Sequence, residues 1–479
     1  MSVLVIDVGT SGIRAAVVRP GQSIVVERHE PFLPATPFPG LVEFDARDMA
    51  DLVVRLAEEA LAEAGPVDAV GIANQRASTI LWDPQLGIPV GPGIGWQDLR
   101  TVGECLALQA DGFRLAPNHS ATKLAALLDQ ADPDRAGGLL FGTVDTWLTW
   151  VLSQGEAHIT DLTNASVTGL MALDGDGWDA TVLEALRIPA EAMPAIVDSS
   201  GVVAEATALP GSPPITGIAG DQQASLIGQG CVRPGLAKIT FGTGGMLDVW
   251  LGDERPGFDS RGEGGTFPIV TSRREGRISW GIEGIMLAAG TNVEWLRDDL
   301  GLIATAEESH DLAAGCETTE GVVYVPALLG LGTPQWDYGA RGALLGLTRG
   351  TTAAHVARAV LEGVAHRGAD LVEAAETDGG RIESLRVDGG MSANPTFVQA
   401  LADATGRAVE LSPVLEATTL GAAYLAALGV GLLSSEDEVA ELWTPRSVVE
   451  PQRELDRDQW RSAVERAGGW HTDLSSISF

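Results

Sequence analysis

Two stretches of sequence decide the fold: VLVIDVGTSGIRAAVV at Val3–Val18 and LAKITFGTGGMLDVWL at Leu236–Leu251. Each predicts a strand, a short turn of glycine and hydroxyl residues, and a second strand. The turns are Asp7 to Gly12 in the first stretch and Gly242 to Gly245 in the second. Because two hairpins of one kind lie in the two halves of the chain, the sequence indicates a duplicated domain.

The segments outside the hairpins alternate between helix and strand patterns. In the first half, the helical periodicity of Asp48 to Ala64 precedes an apolar strand at Val67 to Ala73. In the second half, we expect a long helix at Thr352 to Glu376, a strand at Leu385 to Val387 and another helix at Pro395 to Gly406. This alternation predicts α/β architecture in both halves.

The proline and glycine of Val232 to Gly235 separate the two patterned halves. A chain of 479 residues is long enough for at least two domains at about 100–200 residues each. We therefore expect an N-terminal domain at residues 1–233 and a C-terminal domain at residues 234–479.

The charge balance excludes some classes of partner. The chain has 31 Lys and Arg against 65 Asp and Glu, a net charge of −34. Its long-range field repels phosphate backbones and anionic membrane surfaces, so we expect neither nucleic acid nor a membrane as partner. Most of this acidity is typical of a solvated surface and identifies no substrate.

The location predicted from the sequence is cytoplasmic. The amino terminus lacks the basic segment of a secretory signal, and the apolar stretch Leu420 to Leu433 is shorter than the ~20 residues of a spanning helix. Cys105, Cys231 and Cys316 are odd in number and far apart, which is typical of reduced thiols.

Several chemistries are excluded by missing motifs. Lys123 and Lys238 are the only lysines, and neither lies in a P-loop of the G-x-x-x-x-G-K-[ST] type. The seven histidines show no zinc-ligand spacing, and no G-x-S-x-G elbow occurs. A nucleotide would therefore be held by backbone N–H groups and hydroxyls.

The two glycine-rich turns are candidates for that role. The first offers N–H groups and the Thr10 hydroxyl to a phosphate, while Asp7 could hold magnesium through water. One Asp-x-Gly-Thr alone usually marks an ordinary turn. Two such turns in corresponding places indicate two phosphate clamps that face one cleft.

Two further segments are ambiguous on their residues alone. Asp388 to Asn394 ends a strand and starts a helix, which suits either a nucleotide or a plain structural turn. Asp221 follows the apolar strand Ile215 to Ala219 and could accept a hydroxyl proton in phosphoryl transfer. On this segment alone, an N-cap of the following helix is the favoured interpretation.

Four longer strings resemble the FGGY carbohydrate kinases, most closely their glycerol-kinase branch. They are FGTVDTWL at Phe141–Leu148, TDLTNAS at Thr160–Ser166, GIAGDQQASL at Gly217–Leu226 and VPALLGLGTPQWDYGARGALLGLTRGTTAAHVARAVLEG at Val325–Gly363. The resemblance extends from Asp7 to about Leu428. It implies two actin-like, ribonuclease-H-type domains that flank a cleft for nucleotide and sugar.

The resemblance also implies ATP as the nucleotide and assigns residues to it, and we expect Mg²⁺ to accompany the ATP at Asp7. Asp221 takes the family's catalytic-base position. Gly12 stands where a serine is common, and Glu294 replaces a usual glutamine. The implied nucleotide contacts are Thr10, Ser11, Gly12, Arg14, Thr243, Gly290, Glu294, Gly390 and Asn394.

The implied substrate pocket departs from that of glycerol kinases. The matching positions are Arg76, Trp96, Asp221 and Gln222, whereas Ala77 replaces a Glu, Asn118 a Tyr and Met246 a Phe. Because a lost acceptor changes which hydroxyls a site can read, the altered pocket favours another substrate. We expect ATP-dependent phosphorylation of a small polyol or sugar other than, or in addition to, glycerol.

Three alternatives stay open. The chain could be a glycerol kinase with a drifted pocket, a ketopentose kinase, or a non-catalytic, sugar-responsive protein of the actin-like class. The sequence shows no basic recognition helix and retains Asp221, Thr10 and Thr243, which favours an enzyme. The expected partner is a small molecule, and a homo-oligomer is compatible with the sequence.

Overall fold

The structure is a computed structural model that describes residues 2–21, 23–175 and 177–477. Each half of the chain forms a mixed sheet, and the two sheets share the same strand arrangement. The strands of the first half are β1 (Val3–Val8), β2 (Gly12–Arg19), β3 (Ser23–Pro31), β4 (Glu43–Phe44), β5 (Ala69–Asn74), β6 (Ile80–Asp83), β7 (Ile88–Pro89), β8 (Gly93–Ile94), β9 (Leu140–Gly142), β10 (Ile159–Asp161), β11 (Ala195–Val197), β12 (Ser200–Glu205) and β13 (Pro214–Gly220). Those of the second half are β14 (Gly235–Phe241), β15 (Gly245–Gly252), β16 (Phe267–Arg274), β17 (Arg277–Met286), β18 (Val323–Val325), β19 (Ala343–Leu345), β20 (Ile382–Asp388), β21 (Val409–Leu411) and β22 (Ser447–Val449).

Helices cover the sheets. They are α1 (Ala46–Ala64), α2 (Val102–Ala110), α3 (Ala121–Ala131), α4 (Val144–Leu152), α5 (Leu162–Ala165), α6 (Ala180–Ala185), α7 (Asp221–Gly228), α8 (Thr291–Glu294), α9 (Glu308–Ala314), α10 (Ala353–Thr377), α11 (Pro395–Thr405), α12 (Ala417–Gly429), α13 (Glu436–Leu442), α14 (Arg457–Ala467) and α15 (Thr472–Ser475). Two 3₁₀ turns lie at Ala190–Ala192 and Gly390–Ala393, and a π-helical turn at Trp295–Asp299 continues α8.

The strand pairing confirms the predicted duplication. In the first half, β1 pairs antiparallel with β2, β2 with β3, and parallel strands β5 and β13 follow on the other side of β1. In the second half, β14 pairs antiparallel with β15, β15 with β17, and parallel strands β20 and β21 follow on the other side of β14. The sheets meet where β12 pairs with β16 at Ser200 and Arg274.

The predicted helices and strands are also confirmed, with ends shifted by a few residues. Local capping fixes these ends. Asp45 accepts the N–H groups of Arg47 and Asp48 at 2.8 and 3.0 Å, which starts α1. Asn394 accepts the N–H of Phe397 at 3.1 Å to start α11, and Gly406, with φ of 63°, ends it.

Each half has its own apolar core between sheet and helices. The first packs Leu4, Ile6, Ile13 and Ile72 of the sheet against Met49, Val53 and Trp147 of α1 and α4. The second packs Ile239, Phe241, Leu247 and Val249 against Val360, Leu361, Phe397 and Leu401 of α10 and α11.

Helices α7 and α12 cross where the two halves meet. Helix α7 leaves the first half after β13, whereas α12 follows β21 of the second half and lies on β5 and β13 of the first. A methyl group added to Gly228 would lie 1.8 Å from the Ala417 carbonyl oxygen, and one added to Gly421 would lie 1.8 Å from that of Ala224. The crossing therefore requires glycine on both helices.

Two further features concern membrane-spanning helices and the cysteines. Across residues 2–21, 23–175 and 177–477, every helix is too short or too polar to span a bilayer. Cys105 and Cys231 are buried free thiols, and Cys316 is a partly exposed one.

The crossing predicts a specific cost for added volume. Gly421→Ala should lower the free energy of unfolding by about 1–3 kcal/mol, the usual cost of overpacking, because the methyl group meets backbone atoms. Urea unfolding followed by circular dichroism measures the loss. Gly103→Ala in α2 is the matched control, since its methyl group would meet no atom within 4 Å and should leave stability equal or slightly higher. Equal stability of both variants would contradict the close crossing.

Candidate active site

The first predicted phosphate turn connects β1 and β2. The Gly9 N–H donates to the Gly12 carbonyl oxygen at 3.0 Å, which leaves Thr10 and Ser11 at the tip of the turn. A Cβ at position 12 would lie 2.5 Å from Nε2 of His29 on β3, so the serine that is common there would require the His29 ring to move. Thr10 accepts a hydrogen bond from Nε1 of Trp96 at 3.1 Å.

Asp7, the residue before the last one of β1, is buried. The Thr419 hydroxyl of α12 donates to Asp7 Oδ2 at 3.1 Å, and Arg14 Nη1 lies 3.6 Å from the same oxygen. Burial raises the pKa of Asp7 to about 6, although Arg14 opposes the shift. A cation that reaches this end of β1 would therefore stabilise the ionised form of Asp7.

Arg14, a predicted nucleotide contact, is held by carboxylates from both halves. Its Nε donates to Glu27 on β3 at 3.0 Å, and its Nη1 donates to Glu416, which precedes α12. The guanidinium lies directly beside the first turn because Arg14 pairs with Asp7 across the hairpin. It is thus available to an anion only in competition with these partners.

The second turn lies beside other predicted nucleotide contacts. The Gly290 N–H donates to the Gly242 carbonyl oxygen, and the Ala289 N–H donates to that of Thr243, both at 2.8 Å. Gly389 has φ of 84°, and a Cβ there would lie 2.4 Å from the Phe241 carbonyl oxygen. The structure therefore brings Thr243, Gly290 and the start of the Gly390 turn to one place.

Glu294 and Asn394 have additional neighbours. Glu294 lines an open groove of about 300 Å³ together with Asp298, Asp299 and Trp295, so this side of the second turn is acidic. Asn394 caps α11 and also donates to the Ser309 hydroxyl at 2.8 Å. Its amide has a structural task whether or not a nucleotide binds.

The predicted base lies at the junction of β13 and α7. Gly220 is the N-cap, and Asp221 is the first helical residue, so the N-cap interpretation of Asp221 is wrong. Its Oδ1 accepts the N–H of Gln222 at 2.8 Å and lies 3.6 Å from Nε of Arg76. Burial raises the pKa of Asp221, and the Arg76 charge limits the rise.

Three charged residues of the second half lie against this group, and the sequence analysis did not identify them as site residues. Glu283 accepts from Arg76 Nη2 at 2.8 Å. Lys238 donates to Gln222 Oε1 at 2.8 Å and forms an ion pair with Asp248 at 2.8 Å. One signal was present, because Lys238 and Asp248 interrupt otherwise apolar strands.

The remaining predicted substrate residues are less tightly grouped. The Trp96 carbonyl oxygen accepts from buried Lys123 at 2.8 Å, and the Ala77 carbonyl oxygen accepts from Ser120 at 3.0 Å. Met246 is half-buried on β15, two residues before Asp248. Asn118 is exposed and makes no side-chain hydrogen bond within the described ranges, so the structure does not join it to the cluster.

The residues present suit a magnesium ion only in part. Within residues 2–21, 23–175 and 177–477, no group of three or more His, Cys, Asp or Glu side chains could hold a metal by itself. Magnesium is commonly bound by one or two carboxylates together with substrate phosphates and waters. Asp7 therefore fits an ion that arrives with a nucleotide.

Comparison with known proteins identifies the family. Models of the N-terminal and C-terminal domains of the FGGY family of carbohydrate kinases match residues 2–228 and 237–430. The glycerol kinase of Trichlorobacter lovleyi is 43% identical over 98% of this chain and 99% of its own length. Glycerol kinase 2 of Thermotoga maritima is 40% identical over 98% of this chain and 99% of its own length.

Solved structures agree with this assignment. Plasmodium falciparum glycerol kinase with ADP superposes with a TM-score of 0.89 and 29% identity, covering 100% of this chain and 99% of that one. A xylulose kinase from Brucella ovis gives a TM-score of 0.87 and 25% identity, with 100% of both chains covered. The predicted two-domain α/β fold is confirmed. The chain belongs to the FGGY family of carbohydrate kinases, which are phosphotransferases that act on an alcohol group.

Proposed function

We propose that this kinase transfers the γ-phosphoryl group of ATP to a hydroxyl of a small polyol or sugar other than, or in addition to, glycerol. The observation that carries the proposal is the position of Asp221. It opens α7 beside Arg76, in a cluster that residues from both halves complete. A partly exposed carboxylate at such a junction suits a proton acceptor for the attacking hydroxyl.

The chain's own groups would divide the work as follows. Arg76 and Gln222 would orient the substrate hydroxyls, and Trp96 would form the apolar wall. The Trp96 indole donates to the Thr10 hydroxyl, so this hydrogen bond connects the apolar wall of the substrate pocket to the first phosphate turn. Asp221 would take the hydroxyl proton as the oxygen attacks phosphorus.

The nucleotide would be held by dipoles more than by charge. The turns at Thr10 and Thr243 offer N–H groups and hydroxyls, while Gly290, Gly390 and Asn394 border the second turn. A magnesium ion would neutralise phosphate charge when bound, and Asp7 would hold it through water. Such local contacts are needed because the net charge of −34 repels ATP.

The pocket departures support a substrate other than glycerol. Ala77 is buried and has φ of 58°, so its small side chain sits on a turn where the glycerol-kinase pattern has a carboxylate. The exposed Asn118 and the half-buried Met246 replace two aromatic residues. The main alternative is a glycerol kinase proper, which is supported by the glycerol kinases at about 40% identity. A ketopentose kinase is a second alternative, supported by the similarity to the Brucella ovis xylulose kinase structure.

Removal of the proposed base should abolish turnover. Asp221→Asn keeps the shape but cannot accept a proton, so kcat should fall by ~10²–10⁴ while the Kd for ATP stays unchanged. Coupled ADP release and calorimetric titration measure the two quantities. Asp458→Asn on α14, whose side chain is 96% exposed, is the matched control and should retain full activity. Near-normal kcat in folded Asp221→Asn would remove Asp221 from this role.

The altered pocket predicts a substrate preference. In an ADP-release screen of polyols, ketoses and sugar acids with three to six carbons, kcat/KM for some four- to six-carbon polyol or ketose should exceed that for glycerol at least ~10-fold. This ratio corresponds to about 1.4 kcal/mol of transition-state binding. If glycerol has the highest kcat/KM of all acceptors, the altered-pocket hypothesis is wrong and the protein is a plain glycerol kinase.

Restoring the glycerol-kinase pattern should reverse that preference. The combined variant Ala77→Glu, Asn118→Tyr and Met246→Phe regains one carboxylate acceptor and two aromatic walls. We expect its ratio of kcat/KM for glycerol to that for the preferred longer substrate to rise at least ~10-fold. Met246→Phe alone is the control for volume, and an unchanged ratio in the combined variant would show that these positions do not set specificity.

A further inference from the structure

Lys238 is a buried charge that the proposed reaction does not use directly. Its side chain is fully buried on β14. The ammonium donates to Gln222 Oε1 at 2.8 Å and to Thr240 Oγ1 at 3.0 Å, and it forms an ion pair with Asp248 Oδ2 at 2.8 Å. An ammonium group has three N–H donors. Gln222 and Thr240 accept hydrogen bonds from two of these donors, and the ion pair with Asp248 also holds the lysine in place.

The lysine stays charged in this setting. Burial alone would lower the pKa of Lys238, but the carboxylates of Asp248 and Asp388 reverse the effect and raise it. Removing one partner of the ion pair would leave the other as an unpaired buried charge, which is strongly destabilising, so Lys238 and Asp248 depend on each other.

The contact with Gln222 decides which end of that amide faces the cleft. Because Oε1 accepts from Lys238, the amide directs its Nε2 group elsewhere. Within the described ranges Gln222 Nε2 makes no hydrogen bond. It is also not one of the buried polar atoms left without a partner, which indicates that the amide nitrogen is accessible. Gln222 therefore presents an N–H donor at the opening beside Asp221.

Arg76 is fixed from the same side. Glu283 lies opposite Asp248 in the pairing of β15 and β17, and it holds Arg76 Nη2 at 2.8 Å. Charged side chains on β14, β15 and β17 of the second half thus hold Gln222 and Arg76, the two residues of the first half that would orient a substrate hydroxyl.

We propose that Lys238 is a positioning residue that fixes the Gln222 amide with its N–H donor toward the oxygen of a substrate hydroxyl. The proposal rests on the role given to Gln222 under the proposed function. Lys238 acts on the acceptor through Gln222 and touches neither the substrate nor the nucleotide.

A double-mutant cycle tests the link between the two residues. Lys238→Met alone would strand Asp248 in the core, so Asp248→Leu accompanies it and replaces the ion pair by apolar groups. This pair replacement, Gln222→Met and their combination are compared for kcat/KM at saturating ATP. The acceptor is the best of glycerol, erythritol, xylitol and D-xylulose.

We expect each change to lower kcat/KM about 10-fold, as for one lost or misdirected hydrogen bond, with the KM for ATP unchanged. The combination should also lose only about 10-fold, because both changes remove the same contact. Gln222→Glu offers a second test that leaves Lys238 in place. It keeps an acceptor for the ammonium but loses the donor, so its kcat/KM should match that of Gln222→Met.

Three results would overturn the proposal. The first is wild-type kcat/KM in the folded pair replacement. The second is a loss near 100-fold in the combination, which would show that Lys238 acts independently of Gln222. The third is wild-type kcat/KM in Gln222→Met, which would also remove Gln222 from the substrate site, whereas the first two leave the proposed function intact.

Discussion

The close crossing of α7 and α12 is the constraint on which the candidate site depends. Gly228 and Gly421 let the two helix backbones approach to a distance at which no side chain fits. Helix α7 begins with Asp221, and α12 carries the Thr419 hydroxyl that donates to Asp7. A single packing arrangement therefore positions the proposed base and the carboxylate beside the first phosphate turn.

Positively charged side chains lie at the candidate site although the protein as a whole is acidic. The net charge is −34, but fully buried Lys238 and mostly buried Arg76 lie beside the start of α7. Each is paired with a carboxylate of the second half. Buried charges are tolerated only when paired in this way. The pair Arg76–Glu283 also connects the two halves, whereas Lys238–Asp248 lies within the second half.

Much of the fold could be predicted because its signals are local. The period-two apolar runs and glycine turns of the hairpins, and the long helix α10, are set by neighbouring residues. The crossing of α7 and α12 and the contact of Lys238 with Gln222 arise from topology, which periodicity does not reveal. The division at residues 233 and 234 stays a prediction, since α12 packs on the first half's sheet.

The pH dependence of kcat/KM tests the central claim, that Asp221 accepts the hydroxyl proton, most directly. Burial raises the pKa of Asp221 above its ordinary value of 3.8, so the base form is lost as pH falls through that raised pKa. Because Asp7 also titrates on the acidic side, with a pKa of about 6, we predict that the acidic limb of the wild type contains one ionisation more than that of the residual activity of Asp221→Asn. The same acidic limb in both proteins would contradict it.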